Sequence, residues 1–258
     1  MAINTQLVAL YTIVRRELVR MFRIASQVFL PPVITTGLYF LIFGSLIGSR
    51  IGLIQGVSYP MFIAPGLIMM SVIVNSYGNV STSLFSARFQ KSIEEILISP
   101  IHNSLLLLGY VLGGICRGVI VAILVFVVAS FFLEIEFSHL PMTLFIVVLV
   151  AAVFSLAGFT NAMIARNFDD IMLIPTFILT PLTYLGGVFY SVNMLPEGIW
   201  QKISYLNPIL YMVNALRHAM IGQEEVSMSI AMSIIFFMLV ALTVLNLILL
   251  NKGVGLRE

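Results

Sequence analysis

Six apolar runs set the limits on what this chain can fold into: residues 27–47, 59–84, 105–133, 140–165, 171–190 and 226–250. A helix needs about 20 predominantly apolar residues to cross a hydrocarbon core, and each run reaches or exceeds that length. Soluble domains carry roughly 25% charged residues, whereas this chain carries 9%, with 60% hydrophobic residues. So few charges cannot clothe a water-facing surface, which excludes a soluble enzyme, a nucleic-acid binder and a disordered tail. The expected fold is an all-α integral membrane protein of six spans in one transmembrane domain, residues 1–258, with membrane lipids as its surroundings and no nucleic acid as partner. No internal repeat marks the paired halves of a secondary transporter. The lone Cys116 excludes an internal disulfide framework, and His102, His139 and His218 are scattered, so no metal site is expected.

Ahead of the first run, residues 5–23 form an amphipathic pattern. At 100° per residue Leu7, Tyr11, Val14, Leu18, Met21 and Phe22 share a face, opposite Thr5, Thr12, Arg16, Arg20 and Arg23. A basic amphipathic helix lies in the membrane interface; packing on a soluble partner is the rival reading. No signal-peptide cleavage pattern follows. Nine of the thirteen basic residues collect on one side: Arg15, Arg16, Arg20, Arg23, Arg88, Lys91, Arg166, Lys252 and Arg257. Three, Arg50, Lys202 and Arg217, collect on the other, and Arg117 sits inside a span. The positive-inside rule then puts both termini in the cytoplasm. Residues 195–222 hold two short apolar stretches broken at Asn207-Pro208. Proline interrupts a helix, which predicts either a helical hairpin dipping into the outer leaflet or an external loop with two surface helices.

The chain has no GxxxxGK[ST], HExxH or GxSxG motif, and catalysis is not expected of it. Its carboxylates Glu17, Glu94, Glu95, Asp169, Asp170, Glu224 and Glu225 are expected at or beyond span ends. Arg117 is the exception among ionisable groups. A central arginine costs about 2.5–3.5 kcal/mol on insertion scales, so it must face protein, a wet cavity or the interface. It is either an anion contact on a path or a structural group, and the surrounding Gly109/Gly113 and Gly114/Gly118 pairs invite close helix packing. In the second span Ser71, Asn75, Asn79, Ser83 and Ser86 recur every three or four residues, reading as a path lining or as helix–helix hydrogen bonds. The fifth span carries Pro175, Thr180, Pro181, Thr183, Tyr184, Gly186 and Gly187, which predicts a kinked, deformable helix.

Residues 88–100 form the most informative cytoplasmic segment. Phe89, Ile93, Ile96 and Leu97 fall on one face and Lys91, Glu94 and Glu95 on the other, and Pro100 stops the helix. Two adjacent glutamates suit an anionic leaflet poorly, so this helix reads as a knob for a groove on a partner, with an interface-lying helix as the alternative.

The ordered set of basic amphipathic helix, six spans, FQKSIEEILISP after the second span and LPEGIWQKISYLNPILYMVNALRH before the last resembles the permease subunit of a type-two ABC exporter. Stretches such as FIAPGLIMMSVI and NFDDIMLIPTFILTPLTYLGGVFYS are similar to the small inner-membrane permeases of Gram-negative bacteria. The resemblance covers nearly the whole chain. It implies a homodimeric transmembrane part, two copies of a separate ABC ATPase that bind ATP and Mg, and no cofactor in this chain. It implies that Phe89, Lys91, Ile93, Glu94, Glu95, Ile96 and Leu97 form the coupling helix, beside a connecting helix at 5–23. Spans one, two and five would flank a central path, with Asn75, Asn79, Ser83, Thr180, Thr183 and Tyr184 as path candidates and the hairpin as a cap. These neutral groups point to a neutral or amphipathic cargo. An ion-coupled carrier and a non-transport membrane scaffold of an ATPase complex are the rival functions.

Overall fold

A computed structural model describes residues 3–54, 56–98, 101–134, 137–196 and 198–255. Six helical segments are long and apolar enough to cross a membrane: Ala25–Gly44, Tyr59–Phe89, Asn103–Ser130, Leu140–Ile164, Phe168–Leu185 and Met228–Lys252. They are preceded by α1 (Ile3–Arg23). The first span is α2 (Ala25–Tyr39), continued by a π-helical stretch, Phe40–Ile47, and α3 (Gly48–Ile51). A two-stranded hairpin, β1 (Leu53–Ile54) and β2 (Val57–Ser58), leads into α4 (Tyr59–Phe89). Then come α5 (Ser92–Ile98), α6 (Asn103–Ser130) and α7 (Leu140–Ile164). The fifth span joins α8 (Phe168–Ile174) to α9 (Thr180–Leu185). Two shorter helices, α10 (Ile199–Leu206) and α11 (Pro208–Ile221), precede the last span, α12 (Met228–Lys252).

The fifth span bends for a definable reason. Pro181 has no N–H to give to the helical ladder, and between the prolines Pro175–Leu179 widens into a π-turn. There the Thr180 N–H and its hydroxyl both reach back to Pro175 O. π-Turns of this kind accommodate interruptions of the regular ladder.

α4 and α7 form the centre, with 67% and 72% of their most apolar stretches buried; the first, fifth and sixth spans bury 17% each. α6 packs on both central helices, α11 lies across α4 and α7, and α1 rests on α6. Lipid tails are as apolar as leucine, so close approach through small residues replaces the hydrophobic drive between spans. Gly114 and Gly118 of α6 meet Ser155 of α7 and Ser76 of α4, while Gly109 and Gly113 receive Ile13 and Glu17 of α1. Gly158 of α7 lies against the α4 backbone, where an added Cβ would stand 2.4 Å from Tyr77 O. Backbone cannot give way as a side chain can. Gly158→Ala is therefore expected to cost about 1–3 kcal/mol by overpacking, read as a lower melting temperature of detergent-purified protein.

α1 docks on the bundle through a mixed edge. Ile13, Glu17 and Met21 are buried, whereas Leu7, Val8, Tyr11 and Phe22 are exposed. Ile13 and Met21 thus dock on the bundle together with Glu17, and the exposed Leu7, Val8, Tyr11 and Phe22 are the groups that an interface-lying helix would give to the membrane.

Candidate functional site

At the end of α4 carrying the short helix, the chain turns at Gln90 and Lys91, and Lys91 adopts a left-handed conformation (φ 58°). The long helix thus includes Phe89, and the short helix begins at Ser92. The structure separates the expected apolar face. Ile93 is buried and joins the cluster of Phe85, Ala87 and Leu106. Phe89 is 65% exposed and packs edge-on against Phe168 at 5.1 Å. Lys91, Glu94 and Glu95 face outward, as does Ile98. The side chains of Ile96 and Leu97 lie outside the described residues, as do Ser99 and Pro100. Arg88 anchors this region: its guanidinium donates to the carbonyls of Ala162, Met163 and Ala165 at the end of α7, and to Gly255 O. The last carbonyls of a helix lack intrahelical partners and carry its negative dipole end, so an arginine there is doubly favoured. A cavity of about 200 Å³ opens beside it, lined by Arg88, Lys91, Glu94 and Arg166.

The polar stripe of α4 faces protein along part of its length. Glu17, expected at a span end, is buried between Arg16 (3.6 Å) and Arg20 (3.0 Å). Glu17 Oε1 accepts from the Ser83 hydroxyl at 2.7 Å, and Arg20 donates to both Asn79 Oδ1 (2.8 Å) and Asn79 O (3.2 Å). Arg16 reaches the Tyr110 hydroxyl of α6 at 2.6 Å. Asn79 and Ser83 thereby tie α4 to α1.

Further along the stripe, Asn75 Oδ1 accepts from Arg117 Nε (3.3 Å) and Nη2 (3.1 Å), while its amide donates to Ser71 O. Both residues line a cavity of about 250 Å³ between α2 and α4, to which Ser71, Gln27 and Thr35 add polar groups. The path candidates of the fifth span lie apart from that pair. Thr183 is buried and donates to Thr180 O at 2.7 Å, and Thr180 is exposed. The Tyr184 hydroxyl meets that of Tyr39 at 3.1 Å, and its ring stacks on Phe189. Tyr39 links the two groups, since it also borders the α2–α4 cavity.

Arg217 is the largest departure from the charge count, which places it among the basic residues of the outer side. It is fully buried. It donates to Gly187 O (2.7 Å), Phe62 O (3.3 Å) and Asn214 Oδ1 (3.4 Å), lies 3.8 Å above the Phe62 ring, and faces the buried Glu225 at 3.9 Å. Burial pulls its pKa down to about 10 and Glu225 opposes the shift, so it remains a cation at neutral pH. Asn207 caps α11 and donates to Leu182 O at 2.6 Å. α11 is thus bolted to α4 and to the end of the fifth span.

Comparison with known proteins decides the family. The profile of the ABC-2 type transporter family matches residues 8–221. The chain belongs to the ABC-2 type transporter family. The inner membrane transport permease YadH of Escherichia coli strain K12 is 48% identical over 251 residues, covering 97% of this chain and 98% of YadH. Nodulation protein J of Rhizobium meliloti is 23% identical over 153 residues, 59% of this chain and 58% of that protein. As an ABC-2 permease, the chain is a transmembrane subunit of an ABC transporter, a class whose permeases are typically not themselves catalytic and which works with an ABC ATPase in general.

In this ABC-2 permease the residues that sequence reading misses are cationic anchors. Arg88 and Arg217 count as loop charges until the fold shows which carbonyls they meet. A signal for Arg217 exists in the sequence: Asn214 and Arg217 are three apart within the otherwise apolar stretch Pro208–Ile221, which puts the charge on a face that also carries an amide.

Proposed function

We propose that this ABC-2 permease is the membrane part of an ATP-driven exporter, acting as a homodimer with two copies of a separate ATPase that bind ATP and Mg. Both termini lie in the cytoplasm of a bacterial cell, under its inner membrane. The charge distribution supports this orientation, and burial of Arg217 sharpens it by reducing the basic residues on the outer side from three to two, Arg50 and Lys202. The observation that carries the reading is α5. Ile93 seats it on the bundle while Glu94, Glu95 and Ile98 stay exposed beyond the end of a largely buried α4. A short helix anchored on one side and bare on the other is a handle through which a partner moves the span behind it. α1 is the connecting helix beside it, and the first, second and fifth spans flank the path. Asn75 and Arg117 line it, with Tyr184 and Thr180 at its edge. Asn79, Ser83 and Thr183 hold the lining helices in place.

The test is Glu94→Arg combined with Glu95→Arg. Reversing two exposed charges on a docking helix is expected to reduce ATPase co-purification about tenfold, without loss of the permease from the membrane. Wild-type recovery of the ATPase with an unchanged hydrolysis rate contradicts the coupling role.

A further inference from the structure

Arg117 is partnered unlike the other inward-facing arginines. Arg217 meets three oxygens and Glu225, Arg88 grips carbonyls at a helix end, and Arg16 and Arg20 flank Glu17. Arg117 sits near the midpoint of the 28-residue α6 and, among the described residues, meets only the neutral Asn75 Oδ1. Among the described residues no carboxylate lies within 4.0 Å of its nitrogens. A guanidinium carries five N–H donors; those not turned to Asn75 have no hydrogen-bond partner among the described residues. The charge of Arg20 adds to the positive potential there. In a low-dielectric span this is an electrostatic demand for an anion that the chain does not itself supply.

The surroundings specify the anion further. The cavity in front of Arg117 has a volume of about 250 Å³, below the roughly 300–1,000 Å³ of sites that enclose a drug-sized molecule. It holds a headgroup and not the whole of an amphiphile. Ser71, Thr35 and Gln27 are among the hydroxyl and amide groups at its wall, and Pro31, Pro32 and Val74 are among its apolar ones. On the adjoining face of α2, Leu30, Ile34 and Leu38 recur every fourth residue and are exposed. The geometry points to a binding site for an amphiphile with an anionic head, phosphate or carboxylate, whose head rests against Arg117 and whose apolar tail runs along Leu30, Ile34 and Leu38. This narrows the neutral-or-amphipathic cargo class suggested by the lining residues to an anionic amphiphile. That the ligand is cargo rests on the proposed transport function; the binding itself does not.

The experiment measures saturable binding of decyl phosphate to the full-length permease in phosphatidylcholine nanodiscs, against decyl maltoside and inorganic phosphate. Arg117→Gln is expected to weaken decyl phosphate binding at least about tenfold, the loss of a charge-assisted hydrogen bond, and Arg117→Lys to stay within about threefold, since the charge survives. Asn75→Asp supplies an internal carboxylate at the position now 3.1 Å from the guanidinium. It is expected to keep the fold and still lose decyl phosphate binding about tenfold, so it carries the test if Arg117→Gln fails to purify. Equal decyl phosphate affinity in wild type and in the variant that purifies overturns the site. Equal binding of decyl maltoside overturns the anionic head, and equally tight, Arg117-dependent binding of inorganic phosphate overturns the amphiphile in favour of a free anion. ATPase co-purification through Glu94 and Glu95 does not involve this cavity, so failure of either result leaves the other standing.

Discussion

Arg217→Met is expected to produce the largest loss of stability of any single change considered, about 3–5 kcal/mol. Methionine matches the length of the arginine stem but takes away every donor. Gly187 O and Phe62 O then lose a charged donor in a fully buried setting, and Glu225 loses the guanidinium that faces it at 3.9 Å. Removing one member of a buried ion pair is strongly destabilising, and here two carbonyls lose a charge-assisted hydrogen bond with it. The ring of Phe62, 3.8 Å from the guanidinium, loses its cation as well. Arg217→Lys separates charge from geometry: it keeps the cation but cannot span Gly187, Phe62 and Asn214 together, and should fall between wild type and the methionine variant. Thermal unfolding of detergent-purified protein reads the order. A methionine variant as stable as wild type contradicts the role of Arg217 in fastening α11 to α4 and to the end of the fifth span.

Glu17→Ala is the second large effect. The carboxylate is 2% exposed and holds two guanidinium groups and the Ser83 hydroxyl. Its removal brings two like charges face to face on the inner side of α1. Arg16 and Arg20 are partly exposed, so solvent screens part of the cost, and a loss of about 2–3 kcal/mol is expected. The loss is local to the α1–α4 contact. Amide hydrogen exchange in α1 should rise while α7, which Glu17 does not touch, stays protected. Ser83→Ala, which removes one hydrogen bond and leaves both ion pairs, should show a loss of about 1 kcal/mol. Equal protection of α1 in wild type and Glu17→Ala would show that apolar contacts such as Ile13 and Met21 hold the helix alone.

These two residues also show where sequence reading stops. The six spans, the helix before them, the short helix after the second span and the break at Asn207-Pro208 are all legible, because each follows from local chemistry: length, hydropathy, periodicity and the missing N–H of proline. Which face of a helix turns inward is not local. For α1 the inward edge is mixed: Ile13 and Met21 are buried beside Glu17, which pairs with Arg16 and Arg20 of the same helix and accepts from Ser83 of α4, while Leu7, Tyr11 and Phe22 are exposed. The stripe Asn75, Asn79 and Ser83 is visible as a stripe, but its division between a cavity and a helix contact depends on where α1 and α6 lie. Loop-charge counting places Arg217 outside because it has no means of seeing Gly187, thirty residues earlier in the chain, at hydrogen-bond distance. The glycine pairs around Arg117 are legible as packing motifs, and the structure shows Gly109 and Gly113 serving α1 while Gly114 and Gly118 serve α7 and α4.

In the proposed function α5 is the point at which an ABC ATPase engages this permease. A photo-crosslinking residue placed at Glu95, with its cognate ATPase co-expressed, measures this in the intact membrane. A covalent permease–ATPase adduct is expected from position 95, and none from the exposed position Phe237 on the last span. No adduct from position 95 in membranes that contain the ATPase, or equal yields from both positions, would contradict it.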